Sequence, residues 1–265
     1  MDDKVKKKFC FGKNWRSYSK TIDKRSYQRA KCSLNTLIPD IKGKTFLDIG
    51  CGSGLFSFAA LALGANKVVG IDIDPECVEV SVRNTRRLSA FEAGIDTARV
   101  TYLKASILDD GLDLGKFDIV HSWGVLHHTG DMWRALRKAC ELVRYPDGVL
   151  VVAIYNRHIT SAPWKWIKKA YIHSPGILKA LMTGLLLPAM YFSKMLIYRV
   201  NPFSMRRGMN FYHDGVDWIG GYPYEYASIP EVIEFSGSIG FVVVKVIKGP
   251  NPVGCNEFIL KRAGK

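Results

Sequence analysis

The stretch TFLDIGCGSGLFSFAAL, Thr45 to Leu61, constrains this chain more than any other part of it. A short apolar run, a glycine-rich turn and a second apolar run predict a buried strand, a tight loop and a helix. The glycines are Gly50, Gly52 and Gly54, so the spacing is G-x-G-x-G. A dinucleotide loop needs G-x-G-x-x-G, with the pyrophosphate at the helix N-terminus. A P-loop needs Lys and Ser/Thr after its last glycine, where this chain has Leu55 and Phe56. Neither phosphate loop fits, so the turn is expected to hold a ligand of another kind.

The chain beyond Leu61 continues the alternation of strand and helix. NKVVGIDIDP predicts a second strand over Lys67 to Asp72, with Pro75 at a helix start. CVEVSVRNTRRLSA reads as that helix, ARVTYLKAS as a third strand and KFDIVHSWG as a fourth. DMWRALRKACELV is a helix with Asp131 as N-cap, and GVLVVAIYN is a fifth strand. Strands alternating with helices imply a parallel sheet covered on both faces. The chain closes with GFVVVKVIKG, a turn PNPVG, and CNEFILKR, which predicts an antiparallel hairpin. The expected fold is therefore α/β, a Rossmann-like doubly wound seven-stranded sheet with an antiparallel last strand and a helical lid insertion. The expected organisation is a basic helical arm over 1–31, a cofactor-binding core over 32–155, a helical and loop insertion over 156–228, and a closing helix and hairpin over 229–265.

Charge is distributed unevenly along that plan. Residues 1–31 carry eleven Lys/Arg against three Asp/Glu, and residues 156–212 carry nine against none. The remainder is nearly balanced, although the whole chain is +14. A basic excess confined to an arm and one insertion predicts an anionic partner such as a membrane surface, an anionic substrate or nucleic acid. The six cysteines form no C-x-x-C pair and have no metal-like spacing with histidine, so no metal site is expected. Reduced thiols and a charged N-terminus without an apolar h-region point to a cytoplasmic protein.

In an open parallel sheet ligands bind beyond the carboxyl ends of the strands. Asp48 ends the first strand, Asp72 ends the second, and Ser106 follows the third. A carboxylate at the end of the second strand suits a ribose diol, because its lone pairs accept both hydroxyl hydrogens. Bare glycine backbone lets a ligand approach closely. Asp48 beside the loop would repel a pyrophosphate and suits a cationic ligand. A ribose, an adenine, an ammonium and a sulfonium together describe S-adenosylmethionine.

FLDIGCGSG, VVGIDIDP and FDIVHSWGVLHHTGD also resemble motifs of class I S-adenosylmethionine-dependent methyltransferases, across about residues 44–155. The resemblance implies that Gly50, Gly52 and Gly54 wrap the methionine part, that Asp72 takes the ribose, and that Ser106 with Ile107 borders the adenine. Asp48, Cys51 and Ile73, beside them in the same motifs, are expected to bind the cofactor as well. Ser106 stands where the family usually has an acidic residue. Ser122 and Trp123 fall on the motif after the fourth strand. In this family an N-terminal helix often closes over the cofactor, and Trp15 and Tyr18 are placed to do so.

The loop after the fourth strand bears on the acceptor. It has SWGVLHH instead of the [DN]-P-P-[YF] element of enzymes that methylate adenine amino groups, and there is no Pro-Cys nucleophile. WGVLHHTGD is similar to small-molecule methyltransferases, including those of quinone biosynthesis. A small or lipid-like acceptor, methylated at oxygen, is the leading expectation. An RNA or protein methyltransferase and a non-catalytic, membrane-associated module remain open beside it. His127, His128 and His213 are the candidate general bases, since imidazole titrates near neutral pH. Trp218, Tyr222 and Tyr212 are the candidate substrate contacts, from a polar-aromatic loop around Gly220 and Gly221.

The insertion contains the uncharged stretch Ala180 to Ser193, flanked by Trp164, Trp166, Lys168, Lys169, Lys194 and Arg199. It is shorter than the roughly 20 residues a membrane span needs. Gly184 and Pro188 predict a broken helix pair, lying at a membrane interface or over a greasy acceptor.

Overall fold

A computed structural model describes residues 9, 11–196, 199, 201, 209–249 and 254–264. The expected turn PNPVG lies outside the described residues except for its last glycine, as does most of the extreme N-terminus.

Seven strands form one sheet: β1 (Thr45–Ile49), β2 (Lys67–Asp72), β3 (Val100–Lys104), β4 (Ile119–Trp123), β5 (Val149–Tyr155), β6 (Phe241–Ile247) and β7 (Cys255–Arg262). Their order is β3-β2-β1-β4-β5-β7-β6. The first five run parallel, and β7 lies antiparallel between β5 and β6. A short connection can join β6 to β7 only in the antiparallel sense, and β7 pairs antiparallel with β5 as well. The strand order reverses between β1 and β4, which opens a crevice beyond their carboxyl ends.

Both faces of the sheet are covered, as the continuous apolar strands require. Side chains alternate along β1: Phe46 enters one core, Leu47 and Ile49 the other. The first core is completed by α1 (Phe11–Ser19), α2 (Lys24–Leu37) and α3 (Leu55–Ala62). The second is completed by α5 (Met132–Glu141) and α9 (Ile229–Ser238). Helix α4 (Pro75–Leu88) starts with Asp74 as N-cap and Pro75 in its first turn, and α5 starts with Asp131 as N-cap. The division drawn at residues 31 and 32 falls inside α2, whose Leu34 and Leu37 are buried with Tyr27 and Ala30. One apolar helix face carries both halves, so the arm does not end there.

The insertion folds as α6 (Ser161–His173), α7 (Gly176–Leu196) and α8 (Phe211–Gly220). Two expectations fail here. The helix over Gly184 and Pro188 is continuous, and at 21 residues it is long and apolar enough to cross a membrane by length and composition. The reason is positional. Pro188 deprives the carbonyl of Gly184, four residues back, of its helical donor, and both residues are exposed, so that carbonyl faces solvent and not an apolar interior.

Candidate functional site

The glycine loop leaves β1 through three left-handed residues, with φ of 71° at Gly50, 55° at Gly52 and 71° at Gly54. Only glycine adopts these values without strain. The loop is pinned from outside. The N–H groups of Gly50 and Cys51 donate to the Ile71 carbonyl at the end of β2, and Gly52 N–H donates to Asp72 Oδ2 at 3.0 Å. Asp72 Oδ1 accepts from Asp74 N–H at 3.0 Å. Each carboxylate oxygen keeps a further lone pair. Burial raises the pKa of Asp72, while the two N–H bonds pull it back. The helix cap is Asp74, which leaves Asp72 to the loop.

Asp48 sits beneath the loop. Its Oδ2 accepts from Ser57 Oγ at 2.6 Å, and its Oδ1 pairs with His121 Nδ1 at 2.9 Å. His121 faces Asp48 because the two are register partners on β1 and β4. Nδ1 donates to that carboxylate, and the buried Nε2 has no hydrogen-bond partner among the described residues.

Helix α1 lies across the top. Gly12 N–H donates to Asp74 Oδ2 at 3.0 Å, and a Cβ at Gly12 would meet that oxygen at 2.3 Å. This contact sets the Trp15 ring over the loop, where a Cβ at Gly52 would lie 2.9 Å from its Cε2. Asn14 ties α1 to α8, its Nδ2 donating to the His213 carbonyl at 3.0 Å and to Asp217 Oδ1 at 2.7 Å.

A crevice of about 850 Å³ opens between these elements. Asp48, Gly50, Cys51, Asp72, Ile73, Ser106, Ile107, Trp123, Trp15 and Tyr18 all line it, with His128, Trp218 and Tyr222 at the acceptor end. Six expected residues are placed otherwise. Gly52 lies beneath the Trp15 ring, and Gly54 shapes the loop from behind, packing on Ser81 and Tyr102. Ser122 is buried, its hydroxyl donating to the Ile49 carbonyl at 3.4 Å, because β4 alternation turns it into the sheet. Tyr212 is 56% exposed and borders a shallow depression beside α7, a separate surface from the crevice. His213 is tied to Asn210 at 2.7 Å and Ser17 at 3.1 Å, and orders α8 against α1. His127 is wholly buried, with Tyr155 N–H donating to its Nδ1 at 3.3 Å. Trp164 turns inward to line the crevice, while Trp166 faces out.

His128 alone of the three candidate bases reaches the crevice. Its Nδ1 donates to the Pro223 carbonyl at 2.6 Å, so the lone pair resides on Nε2. Gly221 makes the room, since a Cβ there would lie 2.7 Å from His128 Cε1. Burial, reinforced by the Lys168 cation, holds the His128 pKa down at about 3. The ring is neutral throughout the physiological range.

Two acids and a cation join this end of the crevice: Asp214, Asp217 and Lys194, with Lys194 Nζ 3.3 Å from Asp214. Burial pushes the Asp217 carboxyl up to about 8. It keeps its proton at neutral pH and can donate a hydrogen bond. Both acids lie in the stretch YHDGVDW, where the aromatic residues draw attention first. Tyr155, at the end of β5, completes the chamber between His128, Trp218 and Tyr224.

The residues fit the expected cofactor. A carboxylate with spare lone pairs stands at the end of β2, side-chain-free backbone forms the loop, and a buried ring nitrogen without a partner among the described residues, His121 Nε2, belongs to a lining residue beside it.

The family described as "Methyltransferase domain" matches residues 23–183. The ribosomal protein L11 methyltransferase of Tolumonas auensis is 58% identical over 48 residues, which is 18% of this chain and 16% of that protein's length. The chain thus spans only a small part of that relative. Among solved structures, magnesium protoporphyrin IX methyltransferase from Synechocystis PCC 6803 with bound SAH is similar over 91% of this chain and 83% of that one, at 16% identity and a TM-score of 0.54. PKMT2 from Rickettsia typhi in complex with AdoHcy is similar over 89% of this chain and 54% of that one, at 18% identity and a TM-score of 0.57.

Proposed function

The chain belongs to the methyltransferase-domain family and takes S-adenosylmethionine as methyl donor; from that premise we propose that it methylates an oxygen of a small, apolar or lipid-like acceptor, with His128 as proton acceptor. One observation carries this reading. Past the glycine loop the crevice becomes an aromatic chamber whose wall presents a neutral imidazole with its lone pair on Nε2. Flat aromatic walls suit a planar or greasy molecule better than a phosphate backbone.

The cofactor supplies an activated methyl group, so the protein's work is alignment, exclusion of water and proton removal. Asp72 and the glycine loop orient the donor. Trp15 and Tyr18 roof the crevice and keep water out. Asp217, protonated, donates a hydrogen bond that orients the acceptor oxygen. His128 Nε2 takes the hydroxyl proton as the oxygen attacks. So weak a base suits a hydroxyl that is itself acidic, such as a phenol or an enol.

The 48 residues shared with the ribosomal protein methyltransferase say nothing of the acceptor, because so short a match leaves most of both chains uncompared. The test is direct. Cell extract is separated into organic-soluble, protein and RNA fractions after incubation with methyl-labelled cofactor and the enzyme. Label in the organic-soluble fraction, lost with His128→Gln, supports the proposal. Label confined to RNA or protein ends it.

A further inference from the structure

Helix α7 has two apolar faces. The inner one carries Met182, Leu186, Leu187 and Met190, packed against Tyr171, Ile172 and Ile219. The fit is close, for a Cβ at Gly215 of α8 would lie 2.2 Å from Leu187 Cδ2. The outer one is uncovered. Ile177, Leu181, Leu185, Phe192 and Leu196 are 81%, 65%, 74%, 57% and 74% exposed. With Pro188 they recur at helical spacing along 21 residues, about 31 Å at 1.5 Å per residue. Every exposed position of α7 is uncharged. A monomer rarely leaves so long a stripe bare.

We propose that this outer face of α7 docks the protein on an anionic lipid bilayer, lying in the interface with the crevice held at the surface. Charge selects this occupant. No Asp or Glu occurs from 156 to 212, while Lys165, Lys169 and Arg199 are exposed. A second copy would bring like charges together, whereas anionic headgroups neutralise them. On adjoining α6, Trp166 is 70% exposed with Lys169 Nζ 5.4 Å over its ring, an amphipathic pair suited to the headgroup layer. The helix lies flat, because spanning would strip its inner face from α6 and α8. That inner side also lines the crevice through Leu186, Met190 and Lys194. One helix thus meets lipid on one side and the acceptor chamber on the other. The docking face does not depend on which acceptor the chamber takes.

The experiment is sedimentation of the full chain with phosphatidylcholine vesicles, with and without phosphatidylserine, across a salt series. Binding should require phosphatidylserine and fall as salt rises. Leu181→Asp with Leu185→Asp, and separately Lys165→Glu with Lys169→Glu, should each weaken it at least about tenfold. Both pairs are exposed, and unchanged circular dichroism and cofactor affinity confirm folding. A folded protein that ignores phosphatidylserine vesicles at low salt overturns the proposal. So does binding that survives Leu181→Asp with Leu185→Asp, which assigns it to the basic N-terminal arm. Concentration-dependent dimerisation abolished by the leucine pair assigns the face to a second copy and overturns it equally. Cofactor affinity measured alongside separates any of these failures from failure of the methyltransferase reading.

Discussion

Lys168 is fully buried on α6, its Nζ lying 4.3 Å from the Trp218 ring centroid, 4.8 Å from Tyr224 and 5.8 Å from Tyr155. It donates to the Trp218 carbonyl and so props the acceptor chamber from behind. Desolvation, opposed by Asp217, lowers its pKa from 10.5 to about 7. A lysine whose folded pKa is depressed releases its proton on folding between those two values. The penalty is complete below pH 7 and shrinks as pH rises toward 10.5. At about 1.4 kcal/mol per unit, the penalty is several kcal/mol at acid pH, and roughly half of it, about 2–3 kcal/mol, disappears between pH 8 and 10. Lys168→Met keeps the volume and removes the titration. The variant forfeits ring contacts and the bond to Trp218, a loss of about 1–3 kcal/mol that does not vary with pH. Its stability relative to the parent should therefore fall by about 2–3 kcal/mol from pH 8 to pH 10. Urea unfolding at both pH values measures this, and groups common to both proteins cancel in the difference. Because Asp217 titrates near 8, both proteins are best compared with Asp217→Asn in place. A difference that stays constant from pH 8 to 10 would refute the claim that Lys168 is held in a desolvated site.

Asp72→Asn should weaken S-adenosylmethionine binding by about 1.5–3 kcal/mol, measured by calorimetry, because it removes a charged acceptor from the ligand and from Gly52 N–H. An unchanged affinity in a folded variant would remove the ribose assignment. His128→Gln should slow methyl transfer about 10²–10⁴-fold with cofactor binding kept, whereas His213→Gln should leave the chemical step near the parent rate. With the His128 pKa near 3, the pH–rate profile should show no loss from this base between pH 5 and 7. Loss of the Asp217 proton should lower the rate as pH rises through about 8, and Asp217→Asn should flatten that limb. Gly52→Ala places a Cβ 2.9 Å from the Trp15 ring at a φ of 55°, so it should displace α1, change tryptophan emission and cost at least about 1 kcal/mol of stability.

Sequence alone determined the sheet and one edge of its crevice. The strand, glycine loop and carboxylates at Asp48 and Asp72 are local features, set by residues within a few positions of one another, and the period of each apolar run declares its element. Tertiary structure decided everything that depends on facing. His127 and His128 are adjacent and chemically identical, and only the Pro223 carbonyl, 95 positions away, selects which ring meets the crevice. Asp217 became a crevice acid because Asn14 of α1 folds back onto α8. Trp164 and Trp166 parted because two steps along a helix turn about 200°. The continuity of α7 rested on Gly184 and Pro188 both facing out, a fact of packing that no local pattern records.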